Sequence, residues 1–174
     1  MSVMSAEERE KYVSSTYIKH FTQSCDMWRE WTALTECAGP GIQRVIDIDE
    51  RRMTLTLEFD HSAKPLSELQ KSDWPLFLRL LPSLIKAIRH CHRRGWVHGD
   101  LKPGNILYLP DKRTVRLIDF GASYRKGTSR KALMAWQATP MFASHQQVRG
   151  IGRVTTGDDW YSLRQIINQV LALI

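Results

Sequence analysis

A short loop followed by a tight hairpin constrains this chain more than anything else in its 174 residues. The segment VHGDLKPGNILYL (97–109) runs through the turn PDKR into TVRLIDF (114–120). Both flanks of the turn have the short, β-branched, apolar character of strands, and Pro-Asp-Lys-Arg supplies the turn chemistry. A hairpin of this length returns its two ends to one another. Asp119, at the end of the second strand, is then brought near Asn105, at the start of the first. Asp100 lies five residues before Asn105 in a Pro-Gly-containing loop. Two oxygen ligands and a further carboxylate are therefore expected at one place, with the ammonium of Lys102 between them.

The rest of the chain supplies a frame. Residues 12–21 read as a strand, and a helix is expected from Asp26 to about Cys37, with Asp26 as N-cap and Met27, Trp31 and Leu34 on one face. Gly39-Pro40-Gly41 stops it. Residues 42–49 and 53–59 alternate apolar and polar side chains, as half-buried antiparallel strands do. A polar connection over 60–73 contains a short helix near Pro65 to Leu69. A long helix follows from Trp74 to Arg94, with Phe77, Leu80, Leu81, Leu84, Ile85 and Ile88 as its buried stripe. Pro82 inside it predicts a kink or the start of a second helix. Residues 121–156 lack periodicity and read as a long functional loop, and a last helix spans Asp158 to Ile174. Strands come early and helices late, so the fold class is α+β, with a small sheet lobe (1–59) and a mainly helical lobe (60–174).

Composition narrows the partners. The apolar content of 43% suits a packed core, and no apolar run is long enough to span a bilayer. The polar, acidic start MSVMSAEEREKY does not look like a signal peptide, so a cytoplasmic location is expected, with export as an effector left open. Cys25, Cys37 and Cys91 lack paired spacing and read as reduced thiols. The net charge of +7 favours anionic partners, and its densest run is RKGTSRK (125–131), which reads as solvated surface or as an attractor of acidic substrate. No aromatic-interleaved basic stripe accompanies it, so neither nucleic acid nor membrane is an expected partner.

Transfer of a phosphoryl group needs a carboxylate to orient a hydroxyl and take its proton, oxygen ligands for Mg²⁺, and a cation near the moving phosphate. The pattern HxDLKPxN followed by DFG resembles the catalytic core of the protein-kinase family. The resemblance implies Asp100 as the base, Lys102 as the phosphate-contacting lysine, and Asn105 and Asp119 as Mg²⁺ ligands. TPMFASHQQ (139–147) resembles the end of that family's activation segment, most of all in the casein-kinase branch. GDDWYSL (157–163) resembles the start of its central helix, with Asp159 as the buried aspartate that holds the catalytic-loop backbone or, on a plainer reading, as a helix cap. His98 is implied as a packed scaffold residue.

Upstream, YIKHF resembles the strand that carries the nucleotide-binding lysine, which implies Lys19, with Glu30 as its partner; Lys11 and Glu36 are the fallback pair. Glu58, Phe59 and Asp60 would form the hinge whose backbone meets adenine, and Leu107 would complete the ATP site. The pattern departs from the family at four places. No glycine precedes Gly39, Gly99 stands where many protein kinases have arginine, Ser144-His145-Gln146 replace the usual Ala-Pro-Glu, and the sequence stops after one large helix beyond the activation segment. The implied activity is ATP- and Mg²⁺-dependent phosphorylation of Ser/Thr hydroxyls on a protein substrate, itself expected to be acidic. The apolar end of the last helix adds self-association. Two other readings stay open: a small-molecule kinase of the aminoglycoside or choline type, which HGDL and Gly99 also resemble, and a pseudokinase binding module.

Overall fold

The computed structural model describes residues 15–133 and 138–172. The first sheet holds three antiparallel strands, β1 (Thr16–His20), β2 (Val45–Asp49) and β3 (Thr54–Glu58), in the order β1-β3-β2. β3 is central because its alternation is cleanest: Leu55 and Leu57 turn into the core while Thr56 faces away. Helix α1 (Ser24–Glu36) packs on this sheet through Met27, Ala33 and Leu34. It starts two residues earlier than expected. Gln23 holds the cap position, and Asp26 is not the cap but a first-turn residue paired with Arg29 at 2.9 Å. Of the expected strand 12–21, the described part is Thr16–His20; Lys11 lies outside the described residues.

The second sheet, order β4-β6-β7, contains the hairpin of β6 (Ile106–Leu109) and β7 (Thr114–Leu117), flanked by β4 (Lys64–Pro65). Their turn is a 3₁₀ turn, Pro110–Lys112, closed by Arg113 in the left-handed region. The connection before the long helix holds two 3₁₀ turns, Leu66–Glu68 and Lys71–Asp73, rather than one short α-helix.

Helix α2 (Trp74–Arg93) is one span and does not restart at Pro82. Proline removes the donor for the carbonyl of Leu78, but Leu78 lies on the exposed face, where water can replace that donor. The opposite face, with Phe77, Leu80, Leu84 and Ile88, packs into a core shared with Leu101, Ile106, Val115, Leu117 and Phe120. Gly41 lets the chain cross α2: a Cβ there would sit 2.8 Å from that of Ala87, and φ is +80°. From Gly41 onward the backbone joins β7, through Leu117 N–H to Gly41 O (2.8 Å) and Gln43 N–H to Leu117 O (2.9 Å).

A two-stranded ribbon, β5 (Trp96–Val97) with β8 (Tyr124–Arg125), brackets the Asp100 loop. The stretch expected as a long functional loop (121–156) also holds regular structure: β8, a 3₁₀ turn at Arg130–Ala132 and the short helix α3 (His145–Val148). The last helix, α4 (Thr156–Leu171), begins with a capping box between Thr155 and Asp158, so Asp159 is not its cap. Leu163 and Ile166 of α4 are buried, while Leu171 is 54% exposed; Ile174 lies outside the described residues. No helix among the described residues is long and apolar enough to cross a membrane. Cys37 and Cys91 are buried and free, Cys25 exposed and free, and a hydrogen bond to Cys37 together with burial pushes the Cys91 thiol up.

Candidate active site

The loop His98–Asn105 is fixed from below by one carboxylate. Asp159, 1% exposed, accepts the N–H of His98 and the N–H of Gly99, each at 3.0 Å, and lies 2.8 Å from His92 Nε2. Two acceptor oxygens thus serve two consecutive amides. His98 is buried; its Nε2 lies 3.0 Å from the carbonyl of Ile118 and its Nδ1 accepts the N–H of Asp100 at 3.4 Å. That pattern requires the proton on Nε2, which makes His98 a strut between the loop and the approach to Asp119 rather than a shuttle. Ser123 Oγ donates to His98 O at 2.9 Å and adds a second tie.

Above this base the Asp100 carboxylate is surrounded by donors. Lys102 Nζ reaches Oδ2 at 2.7 Å, Asn105 Nδ2 reaches the same oxygen at 3.2 Å, and Thr139 Oγ1 donates to Oδ1 at 2.7 Å. Asn105 Nδ2 also donates to the Asp100 carbonyl at 2.9 Å. Asn105 therefore spends its amide nitrogen on Asp100 and keeps Oδ1 as an oxygen donor.

The hairpin returns Asp119 as its length demands. Asp119 sits in the left-handed region (φ 60°), so its side chain leaves the strand line and meets Lys19 Nζ at 2.7 Å. Lys19 also binds Glu30, at 2.7 and 2.9 Å. Burial alone would lower the Lys19 pKa, but Glu30 and Asp119 outweigh it and hold the ammonium above its ordinary value. Burial also works against the Asp119 carboxylate, yet Lys19 keeps its pKa below the usual one. Glu30 goes the other way: it is 0% exposed, and burial outweighs Lys19, raising its pKa. Glu36, the fallback partner, is instead engaged by Trp96 Nε1 and Arg125.

A cavity of about 340 Å³ lies between β1, β3 and the hairpin. Lys19, Glu30, Glu58, Asp60, Asn105, Leu107 and Asp119 all line it, together with Tyr17, Gln43, Leu57, Phe59 and Ile118. Asp100 lies outside that lining, and Lys102 lines a neighbouring apolar groove of about 380 Å³ that also includes Phe77, Met141 and Phe142.

This arrangement has counterparts. The model of the protein kinase domain matches residues 2–173. The chain belongs to the protein kinase family. It is 29% identical over 161 residues to the human serine/threonine-protein kinase Nek2, covering 83% of this chain and 36% of that protein. It is also 29% identical over 152 residues to the DNA damage-responsive serine/threonine-protein kinase RqkA of Deinococcus radiodurans, covering 82% of this chain and 22% of that protein. A third relative, the cell division control protein 2 homolog 2 of Trypanosoma brucei brucei, is 32% identical over 98 residues, 53% of this chain and 28% of its own length. The chain thus spans about a third or less of these relatives.

For a protein kinase domain, several contacts here escape a motif reading. Thr139, which the TPMFAS resemblance gives no role, touches both Asp100 and, at 3.2 Å, Lys102. Arg29 clamps the carbonyl of Gly121 with two N–H groups (2.9 and 2.6 Å) and ties α1 to the DFG turn. Gln43 donates to the Glu58 carbonyl at 3.1 Å, and Arg116 pairs with the Glu58 side chain at 3.2 Å. The Phe59 N–H is spent on Ser15 O at 2.7 Å, so part of the hinge backbone expected to face adenine is already engaged. Asp60 accepts from both the N–H and the hydroxyl of Ser62, and these bonds hold its pKa down. The pair Lys19–Glu30, eleven apart in sequence, is implied by the resemblance of YIKHF, and the two side chains do meet.

Gly99 differs from the arginine common in this family for a steric reason. Its φ is +82°, and a Cβ there would fall 2.4 Å from the carbonyl oxygen of Ala122. The loop and the DFG turn approach too closely to admit any side chain.

Proposed function

We propose that this chain transfers the γ-phosphoryl group of ATP to a Ser or Thr hydroxyl of a protein substrate, with Mg²⁺. The observation that carries the reading is the Asp100 carboxylate, oriented by Lys102, Asn105 and Thr139 while Asp119 and Lys19 stand at the adjoining cavity. In this reading Asp100 orients the hydroxyl and accepts its proton as the new O–P bond forms and the bond to the β–γ bridging oxygen breaks, releasing ADP. Lys102 offsets charge on the transferred group. Lys19 holds the α/β-phosphates, Glu30 fixes Lys19, and Glu58, Asp60 and Leu107 border the adenosine.

The donor set suits a hard cation. Asn105 and Asp119 offer oxygen, both line one cavity, and no cluster of three His, Cys, Asp or Glu side chains occurs among the described residues. Such a pair fits Mg²⁺, which takes its remaining ligands from phosphate and water. When bound, the ion offsets phosphate charge; Asn105 and Asp119 are the residues that would hold it.

Residues 1–59 and 60–174 are taken as the two lobes meeting at this cavity. A protein substrate is favoured over a small molecule by the apolar groove beside Lys102, lined by Phe77, Met141 and Phe142. An acidic preference would rest on exposed Lys126 and Lys131, because Arg125 is paired with Glu36 and stacked on Trp96, and Arg130 is buried. Self-association through α4 would use exposed Leu171. The test is transfer of labelled γ-phosphate to an acidic protein substrate and to small alcohols, by wild type, Asp100→Asn and Asp119→Asn. Transfer to protein is expected from wild type and a loss of at least about 10²-fold from each variant. Equal rates in wild type and Asp100→Asn would refute the assignment.

A further inference from the structure

A buried ion pair outside the phosphate-transfer centre has no part in the chemistry above. Arg130, 4% exposed, points inward from the activation segment and donates through Nη2 to Asp158, also 4% exposed. Its Nη1 donates to the carbonyls of Ile151 (3.1 Å) and Arg153 (2.6 Å). One guanidinium thus joins the early and late halves of the segment to the first turn of α4. The backbone agrees: Arg130 N–H meets Gly152 O at 3.0 Å and Val154 N–H meets Thr128 O at 2.8 Å.

From Asp158 the connection continues to the catalytic loop. Its Oδ2 accepts the N–H of Thr155 (2.8 Å) and its Oδ1 the hydroxyl of Ser144 (3.2 Å). Ser144 and Gln147 exchange a reciprocal capping box, Gln147 N–H to Ser144 Oγ at 3.3 Å and Ser144 N–H to Gln147 Oε1 at 3.2 Å. Gln147 Nε2 then donates to the carbonyl of Gly99 at 2.8 Å, directly before Asp100. Gly99 is therefore gripped at both ends, its N–H by Asp159 and its carbonyl by Gln147, and both grips come from adjoining parts of one network.

We propose that Arg130, Asp158 and Gln147 are positioning residues that lock the activation segment onto the catalytic loop, so that transfer proceeds without prior phosphorylation of the segment. The proposal rests on the phosphotransfer reading above. A charge-dependent hold on this segment usually needs an added phosphate and an arginine to receive it. Here the position for that arginine is Gly99, which admits no side chain, and the opposite charges are already inside the fold as a fork-and-carboxylate pair. Two of the segment's hydroxyls are already engaged within the fold. Ser123 is buried and donates to His98 O, and Thr128 donates to Arg125 O at 2.7 Å.

Arg130→Ala alone strands a buried carboxylate and risks unfolding, so the double variant Arg130→Met/Asp158→Asn removes both charges together; the asparagine oxygen accepts the Thr155 N–H, and the Ser144 hydroxyl can turn to accept from the new NH₂. It is expected to melt near wild type, to keep its Kd for ADP within about twofold, and to lose about 10²-fold in kcat through misplacement of Asp100. Gln147→Glu, which turns the donor facing Gly99 into an acceptor, is expected to lower kcat in the same way. Thr128→Ala/Ser129→Ala is expected to turn over at the wild-type rate, and phosphatase-treated wild type to start without a lag. Wild-type kcat in the double variant, or a lag removed by preincubation with ATP, would overturn the proposal. If wild type transfers no phosphate to any substrate, the functional reading fails alone. Amide exchange then decides the lock: faster exchange at Gly99 and over 142–154 in the double variant supports it, and unchanged exchange overturns it.

Discussion

Replacing Asp159 with asparagine should separate catalysis from nucleotide binding. The carboxylate accepts three donors, the amides of His98 and Gly99 and the ring nitrogen of His92, from a nearly solvent-free position. Asparagine keeps one acceptor oxygen, so one loop N–H is left facing an NH₂ group. An unsatisfied buried donor costs about 1–3 kcal/mol, and losing the charge on the remaining bonds adds about 1 kcal/mol. The total of about 2–4 kcal/mol corresponds to a fall in Tm of roughly 4–16 °C for a chain of this size. The catalytic effect is separate. Gly99 adjoins Asp100, and a shift of about 1 Å there is expected to cost about 10²-fold in kcat. Asp159 touches none of the residues lining the cavity proposed for nucleotide, so the Kd for ADP, measured by calorimetry below the new Tm, should stay within about twofold. A variant with lowered Tm but wild-type kcat would refute the view that Asp159 sets the position of Asp100.

Three further outcomes follow from the same geometry. Because Glu30 is raised above its ordinary 4.5 while Asp119 is lowered below 3.8, acid protonates Glu30 first. The burial penalty on ionised Glu30 is relieved as pH falls through its raised pKa, whereas stability from Asp119 persists to below its ordinary value and is lost only as pH falls through the depressed one. The acid limb of ADP affinity should therefore belong to Glu30, and Glu30→Gln should move that limb downward; an unmoved limb in a pH series of Kd would count against it. Thr139→Val removes the hydroxyl that donates to Asp100 and should lower kcat about tenfold with KM for ATP unchanged, while Thr139→Ser should restore it. Gly99→Ala adds a left-handed penalty and a clash, together about 2–5 kcal/mol, visible as a lower denaturation midpoint.

Much of the centre was readable because its parts are close in sequence. Asp100, Lys102 and Asn105 share one loop, and a hairpin of near-minimal length returns Asp119. Helix α2 was legible from its apolar stripe, although Pro82 argued for a break that the exposed face absorbs. Thr139 to Asp100 and Arg29 to Gly121, which no motif shows, join residues far apart. Hydrophobic period says which face is buried, not which distant polar atom it meets. The basic run 125–131 divides for the same reason, since a charge count cannot tell that Arg130 turns inward to a carboxylate 28 residues later while Lys126 and Lys131 stay exposed.

The crossing at Gly99 also restricts how this chain could change. An arginine placed there cannot act as a phosphate receptor, because its first carbon already collides with the carbonyl of Ala122. The backbone at 122 would have to move first, and that turn is itself tied down by Phe120, Ser123 and Arg29. No single substitution at Gly99 leads from this chain to one governed by a phosphate on its activation segment. An engineer who wants such a switch must rebuild the turn before changing the residue.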